Sequence, residues 1–385
     1  VLKSYKYRLY PTAAQELLIN KHIGASRFVY NLGLETKNNA YATHRKNISV
    51  FELMKQLTDL KTELLWLKEV DSQCLQQSLL NLDRSFTRFF KGQSDFPKFK
   101  KKGNGQTFRN AHGNKTHIKN GKLIQPKFQD GIKIVIDRPY IGEIRSTTIS
   151  RTPTGKYYVS VLCETGVEQP VKAEINNAVG IDLGLSHFLI TSEGHKIDNP
   201  KHLRASMKRL KVLQRRVSRK VKGSANRKKA QYKVALLHER VTNQRKDFLH
   251  KASSELIKNH DTICIEDLAV SNMVKNHSLA LSISDAGWGM FADMLEYKSA
   301  WNGRNLLKIP TFEPSTKICN CCGRTKHGLT LKDRTWVCEC GAEHDRDVNA
   351  AINIKNYCLK NSGKGIPAEP LEFPTLVGAL KKEVN

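Results

Sequence analysis

Residues 316–358 read TKICNCCGRTKHGLTLKDRTWVCECGAEHDRDVNAAINIKNYC. Cys319 and Cys322 are separated by two residues, Cys338 and Cys340 by one, and fifteen residues lie between the two pairs. A glycine follows each pair (Gly323, Gly341), where a tight turn lets backbone amides face the sulfurs. Four soft thiolates at this spacing predict one structural Zn2+ in a closed tetrahedral site rather than a patch of unligated thiols. Cys321 is an alternative to Cys322, and His344 a more distant one. After the cysteines, Asp347, Ala350, Ala351, Ile354 and Cys358 recur at helical spacing. A carboxylate at the start of a helix then shares a face with small apolar residues that pack inward. An acid there can simply cap the helix, so this Asp alone decides nothing.

Two further carboxylates change the reading. Ala178–Val179–Gly180–Ile181–Asp182–Leu183–Gly184 is a short apolar run carrying an Asp, and Thr262–Ile263–Cys264–Ile265–Glu266–Asp267–Leu268 is a β-branched run ending in acid. Both predict buried strands whose acid emerges at an edge. Buried carboxylates are costly unless paired or metal-bound. Two acids at strand positions and one on a late helix suit a pair of Mg2+ ions for phosphodiester hydrolysis.

GIDLG (180–184), IEDL (265–268) and a four-cysteine insert running into HDRDVNAA (344–351) together resemble the RuvC-type nuclease core of the TnpB family. These are transposon-encoded relatives of the type V CRISPR effectors. RLYP (8–11), FPKFKKK (96–102) and LALSISDAGWG (279–289) extend the resemblance, in the family's order, to about Lys360. It implies an RNA-guided DNA endonuclease with Asp182, Glu266 and Asp347 as catalytic acids and Mg2+ ligands. Asp267 and Asp345 are neighbouring acids, and the helical-face pattern favours Asp347. The resemblance also implies two partners, a guide RNA from the transposon end and double-stranded target DNA. It implies a monomer in complex with its RNA, acting at the nucleoid of a prokaryotic cytoplasm.

The totals agree with a polyanion-binding chain. Of 385 residues, 64 are Lys or Arg and 36 Asp or Glu, a formal charge of +28. Such a surplus attracts nucleic acid, and counterion release drives the binding. Nine cysteines, five of them between 319 and 340, argue for a metal in a reducing compartment rather than disulfides. No apolar run approaches the ~18 residues of a membrane span. The start VLKSYKYRLYP lacks the apolar region of a signal peptide.

In chain order, residues 2–10 alternate as a half-buried strand, and Thr12 with Gln15 makes a capping box for the next helix. Leu17, Leu18, Phe28, Val29 and Leu32 are its expected buried face. Residues 51–90 are helical. Gln73, Gln76 and Asn81 on a polar face there are candidates for reading a short DNA motif beside the target, as the matching segment does in TnpB relatives. Lys98, Lys100, Lys101, Lys102 and Arg109 lie in a basic run with interleaved phenylalanines, suited to phosphates. Short alternating segments from Thr116 to Glu164 predict a small antiparallel barrel. A basic helical hairpin broken at Gly223–Ser224 follows Asp182. Its Arg215, Arg216, Arg219 and Arg227 suit the backbone of a guide–target duplex.

The expected fold is therefore multidomain, α+β and α/β. A wedge-like β-barrel (1–11 plus 103–170) carries an inserted helical recognition bundle (12–102). An RNase H-like RuvC domain (171–315 and 343–360) carries a zinc-ribbon-like module (316–342), and 361–385 is a flexible tail. The alternatives are a nuclease-inactive RNA-guided DNA-binding repressor of the same family, disfavoured by the presence of all three acids, and a transposase accessory protein.

Overall fold

The computed structural model describes residues 1–103, 105–310, 315–330 and 333–362. The expected tail lies outside the described residues from 363 onward. Two compact units divide the chain, residues 1–168 and residues from Gln169 on.

In the first unit, β1 (Leu2–Tyr10) buries Tyr7 and Leu9 on one side, as its alternation predicts. Pro11 ends it. The Thr12 hydroxyl accepts from the Gln15 amide and the Gln15 side chain accepts from the Thr12 amide, starting α1 (Ala13–His44). The expected buried face of α1 needs correcting: Leu17 and Phe28 are exposed, while Ile19, Ile23, Val29 and Leu34 point inward. A helix this long serves two cores. Ile19 and Ile23 pack with the sheet, and Ala25, Val29 and Leu34 pack with α2 (Val50–Glu63) and α3 (Ser72–Phe90).

Six strands follow: β2 (Thr107–Asn110), β3 (His117–Lys119), β4 (Lys122–Gln125), β5 (Phe128–Val135), β6 (Glu143–Arg151) and β7 (Tyr157–Glu164). They join β1 in one antiparallel sheet of order β2-β6-β7-β1-β5-β4-β3. β1 thus sits in the middle, paired with β7 and β5, and the three helices are an insertion after it. Among the described residues the ladder runs openly from edge β2 to edge β3 where the sequence predicted a barrel. The β2 strand was hidden in the sequence because its four residues follow a basic, glycine-rich run.

The second unit is organised on a five-stranded sheet. Its members are β8 (Ala178–Leu183), β9 (His187–Thr191), β10 (Lys196–Asp198), β11 (Thr262–Glu266) and β12 (Asn305–Ile309), in the order β10-β9-β8-β11-β12. β8, β11 and β12 are parallel; β9 and β10 return antiparallel. The basic hairpin, α4 (His202–Ser218) and α5 (Ala225–Asn259), breaks where expected, with Ser224 capping α5. Its seam uses Leu210, Leu237, Val241 and Leu249, while Tyr232 and Leu236 are exposed. α6 (Val270–Met273), α7 (Ala280–Ala286) and α8 (Trp288–Asn302) follow β11. Buried Asp285 of α7 caps α4 from outside, accepting 2.9 Å bonds from the Leu203 and Arg204 amides and 3.1 Å from Arg245.

Period two divides the parallel strands between two layers. Val179, Ile181, Ile263 and Ile265 face a core built from α5, α7 and α8, including Leu249, Leu256, Ile283, Trp288, Phe291 and Leu295. The intervening Cys264, with Ile309 of β12, packs on Ile354 and Cys358 of the last helix, α9 (Arg346–Lys360). A small hairpin, β13 (Thr335–Val337) and β14 (Glu343–Asp345), leads directly into α9.

Candidate active site and metal centre

The alternation that sends Val179 and Ile181 to one layer sends Gly180 and Asp182 to the other, under α9. β11 repeats the arrangement with Cys264 and Glu266. Its parallel register with β8 pairs Ile265 with Ile181, so one residue further on, Glu266 lies beside Asp182. Neighbouring strands are about 4.8 Å apart, which forces the two carboxylates onto one patch. α9 supplies the third acid. Asp347 is in its first turn, and Ala350, Ala351, Ile354 and Cys358 on the same face are all buried.

Burial raises the Asp182 carboxyl to about 7, with repulsion from Glu266 and Asp347 adding to it and Arg346 opposing. Glu266 is also raised by burial, against a 2.8 Å hydrogen bond donated by the Ser315 hydroxyl. Asp347 accepts from Arg346 Nε at 2.9 Å and from Arg334 at 3.2 Å. Among the described residues, only cysteine-containing groups bring three ligand atoms within 4.8 Å of one another. The three carboxylates do not form such a group, and two arginines engage Asp347.

The neighbouring acids are resolved by their partners. Asp345 is the N-cap of α9, accepting from the Asp347 and Val348 amides at 3.0 and 3.1 Å and pairing with Lys196 at 2.5 Å. Asp267 is exposed, one residue beyond the face that carries Glu266. Neither arginine at Asp347 was singled out in the sequence, although Arg346 lies inside the HDRDVNAA signature.

The cysteines converge as their spacing predicts. Cys319, Cys322, Cys338 and Cys340 have sulfurs mutually within 4.8 Å. Cys319 Sγ lies 3.8 Å from Cys340 Sγ, and Cys322 Sγ 3.6 Å from Cys338 Sγ. A tetrahedron with ~2.3 Å Zn–S bonds has edges of about 3.8 Å, so this donor set fits zinc. Each knuckle closes through its glycine: the Gly323 and Gly341 amides donate to the Cys319 and Cys338 carbonyls at 2.9 Å, both glycines having positive φ. Burial works to raise the Cys319 thiol, but the Cys322 and Cys321 amides and His344 outweigh it and bring it down to about 5. Of the alternatives, Cys321 is exposed and donates to Asn320 Oδ1. His344 is buried against Trp336, its Nε2 3.1 Å from Cys319 Sγ, closer to an outer partner of that sulfur.

The candidate nucleic-acid residues are more scattered. Arg215 and Arg216 are exposed on α4 and Arg219 just after it, whereas Arg227 is half-buried and donates to the Lys220 carbonyl at 2.9 Å. Lys98, Lys101 and Lys102 are exposed. Lys100 has its Nζ 3.9 Å from the Tyr30 ring centre, and Arg109 donates to Ser146 Oγ at 3.1 Å. Gln73 and Gln76 are half-buried on α3. Gln77, on the same polar stretch but not among the chosen candidates, is 3 % exposed, and its Oε1 has no partner. It lines a cavity of about 230 Å3 with Asn81, Lys100, Arg109 and Ser26, whose Oγ is also buried without a partner. The available signal was helical phase, since Gln77 is three residues from Cys74 and four from Asn81.

Comparison with known proteins agrees with this layout. The family described as "Probable transposase" (OrfB_IS605) matches residues 160–277, and "Cas12f1-like, TNB domain" matches 288–354. "Putative RNA-guided DNA endonuclease" of Streptomyces pristinaespiralis is 43% identical over 389 residues, covering 100% of this chain and 96% of that one. The chain belongs to the TnpB family. "Putative RNA-guided DNA endonuclease InsQ" of Escherichia coli (strain K12) is 34% identical, covering 97% of this chain and 98% of that one. A solved Cas12f1-sgRNA-target DNA complex aligns over 92% of this chain and 99% of that chain, at 15% identity and TM-score 0.37. A family described as "Helix-turn-helix domain" matches residues 1–46, which in this TnpB-family chain are a strand and one continuous helix.

Proposed function

We propose that this TnpB-family protein is an RNA-guided DNA endonuclease, cutting DNA complementary to its guide beside a short adjacent motif. The observation that supports it is the placement of Asp182, Glu266 and Asp347 on one face of the five-stranded sheet, with the Asp182 carboxyl raised first by burial and then by the other two acids. Three carboxylates in one patch are a hard-oxygen donor set suited to Mg2+. When bound, a pair of such cations supplies an activated water and stabilises the leaving 3′ oxygen. Asp182, Glu266 and Asp347 would together hold these cations, Asp182 standing between the other two. Ser315 orients Glu266, and Arg346 and Arg334 hold Asp347. Cys319, Cys322, Cys338 and Cys340 would hold the zinc. The exposed arginines of α4 suit the guide–target backbone. The sheet and helices of the first unit serve as wedge and recognition parts.

The test is cleavage of a plasmid target with and without guide RNA and Mg2+. Cutting that needs both supports the reading; guide-dependent binding without cutting indicates a repressor. The raised Asp182 gives the pH dependence. A raised carboxyl favours the folded, protonated state below its unfolded value near 3.8, and that contribution is lost as pH rises through about 7. Protons therefore compete with cations below about 7. At limiting Mg2+ the single-turnover rate should fall about tenfold per pH unit there, and excess Mg2+ should move the midpoint to lower pH. A rate flat from pH 5.5 to 8.5 at both concentrations would contradict this.

Adjacent-motif reading centres on Gln77 rather than Gln76 or Gln73, with Asn81 beside it. A buried amide oxygen without a partner is unfavourable unless a ligand supplies a donor, and a base edge does so. Gln77→Leu should weaken cleavage at the preferred motif by the ~1–3 kcal/mol of a lost bidentate base contact. Sequencing the products from a randomised-motif library measures this. An unchanged motif and rate would remove Gln77 from the role.

A further inference from the structure

We propose that Asn349 and Asn353 are positioning residues that make the first zinc knuckle a determinant of cation binding at the nuclease site. This rests on reading Asp182, Glu266 and Asp347 as that site. The two asparagines are four residues apart on α9, on a face distinct from the apolar one that packs on the sheet. Asn349 is 1 % exposed. Its Oδ1 accepts from the Asn320 amide at 3.0 Å and its Nδ2 donates to the Ile318 carbonyl at 2.7 Å. One amide thereby grips the residues on both sides of Cys319. Asn353 Nδ2 donates to the same Ile318 carbonyl at 2.7 Å and to the Ser315 carbonyl at 2.8 Å.

Ser315 closes the second half of the linkage, since its hydroxyl donates to Glu266 Oε1 at 2.8 Å. The knuckle thus reaches one carboxylate through Asn353 and Ser315, and another through Asn349 and the first turn of α9. A third route is covalent. His344, 3.1 Å from Cys319 Sγ, directly precedes Asp345, the N-cap of that helix. Side-chain amides that pair with named backbone groups fix orientation as well as distance, which an apolar contact does not. If the Cys319 knuckle opens, a buried amide loses its partners at a cost of about 1–3 kcal/mol, and α9 no longer has a fixed seat.

The experiment uses the full chain with its guide RNA, comparing wild type with Asn349→Ala/Asn353→Ala and with Asn349→Asp, which keeps the acceptor but loses the donor. Zinc content by mass spectrometry, guide-dependent DNA binding and hydrogen exchange across residues 343–351 are measured beside cleavage. In the wild type, stripping zinc with a chelator should accelerate exchange in the first turns of α9. In the double variant that acceleration should already be present with zinc retained and DNA binding intact. Cleavage should fall about 10–100-fold, the range for lost outer-shell support, with the Mg2+ requirement raised and partly met by excess Mg2+. Asn349→Asp should fall between.

Wild-type exchange and Mg2+ requirement in the double variant would overturn the proposal. Loss of zinc and DNA binding in step with cleavage would do so equally, because the asparagines would then only hold the fold. Failure of the nuclease-site reading is separable: Asp182→Ala would still cut, while the coupling of α9 exchange to zinc would persist.

Discussion

Asp182→Ala is expected to abolish guide-directed cutting, by at least about 10²–10³-fold, while guide RNA and target DNA still bind. The carboxylate is the central member of the patch, beside Glu266 on the next strand and under the first turn of α9, so no neighbour can take its place. Asp345 caps a helix and is paired with Lys196, and Asp267 is exposed one residue off the face. The same substitution should behave in the opposite way toward stability. The Asp182 carboxyl is raised to about 7 by burial and by two like charges, so at pH 8 without divalent cations its ionised form opposes folding. The variant should then melt no lower than wild type, and higher at pH 8 than at pH 6 relative to it. Added Mg2+ should stabilise wild type but not the variant. Cutting by Asp182→Ala at a rate near wild type would end the assignment of the triad.

Much of this site was legible before any coordinates, for a physical reason. Strand periodicity places an acid at the end of each buried run, two residues after Gly180 and two after Cys264, and the family resemblance implies that they act together; the parallel pairing that sets them side by side belongs to the fold. Asp347 followed from helical phase with Ala350, Ala351 and Ile354, and the cysteine knuckles from spacing and glycine. What sequence left unread depends on contacts across the chain. Arg334 reaches Asp347 only because β13 folds back on β14, and Asn349 and Asn353 look like ordinary polar helix residues until Ile318 lies beside them. The inward face of α1 was misjudged for a related cause: a 32-residue helix crosses from one core to another, and no single stripe describes it. Gln77 lies on the same polar stretch as Gln73, Gln76 and Asn81, and only its burial sets it apart from them.

Gly180→Ala should be nearly as damaging as loss of an acid, although it removes no functional group. Gly180 lies on the α9 face of β8, where an added Cβ would fall 2.0 Å from the Ala351 carbonyl oxygen and 2.8 Å from the Lys355 amide nitrogen. Both are backbone atoms of a helix and cannot turn aside. A carbon and an oxygen need roughly 3.2 Å, so α9 must retreat by about 1 Å, carrying Asp347 with it. Misplacement by about 1 Å costs on the order of 10²-fold in rate, and overpacking of this kind costs about 1–3 kcal/mol of stability. Zinc content and guide-dependent DNA binding should be spared, because the atoms that the added Cβ meets belong to Ala351 and Lys355 and not to the cysteine knuckles or α4. Gly289→Ala is the matched control: nothing lies within 4 Å of its Cβ position and its φ is not positive. On a helix, that change should be neutral or stabilising by up to ~1 kcal/mol. Single-turnover cleavage and thermal melting of the two variants decide the matter. If Gly180→Ala cut as fast as Gly289→Ala, the close seat of α9 on β8 would not be what fixes Asp347.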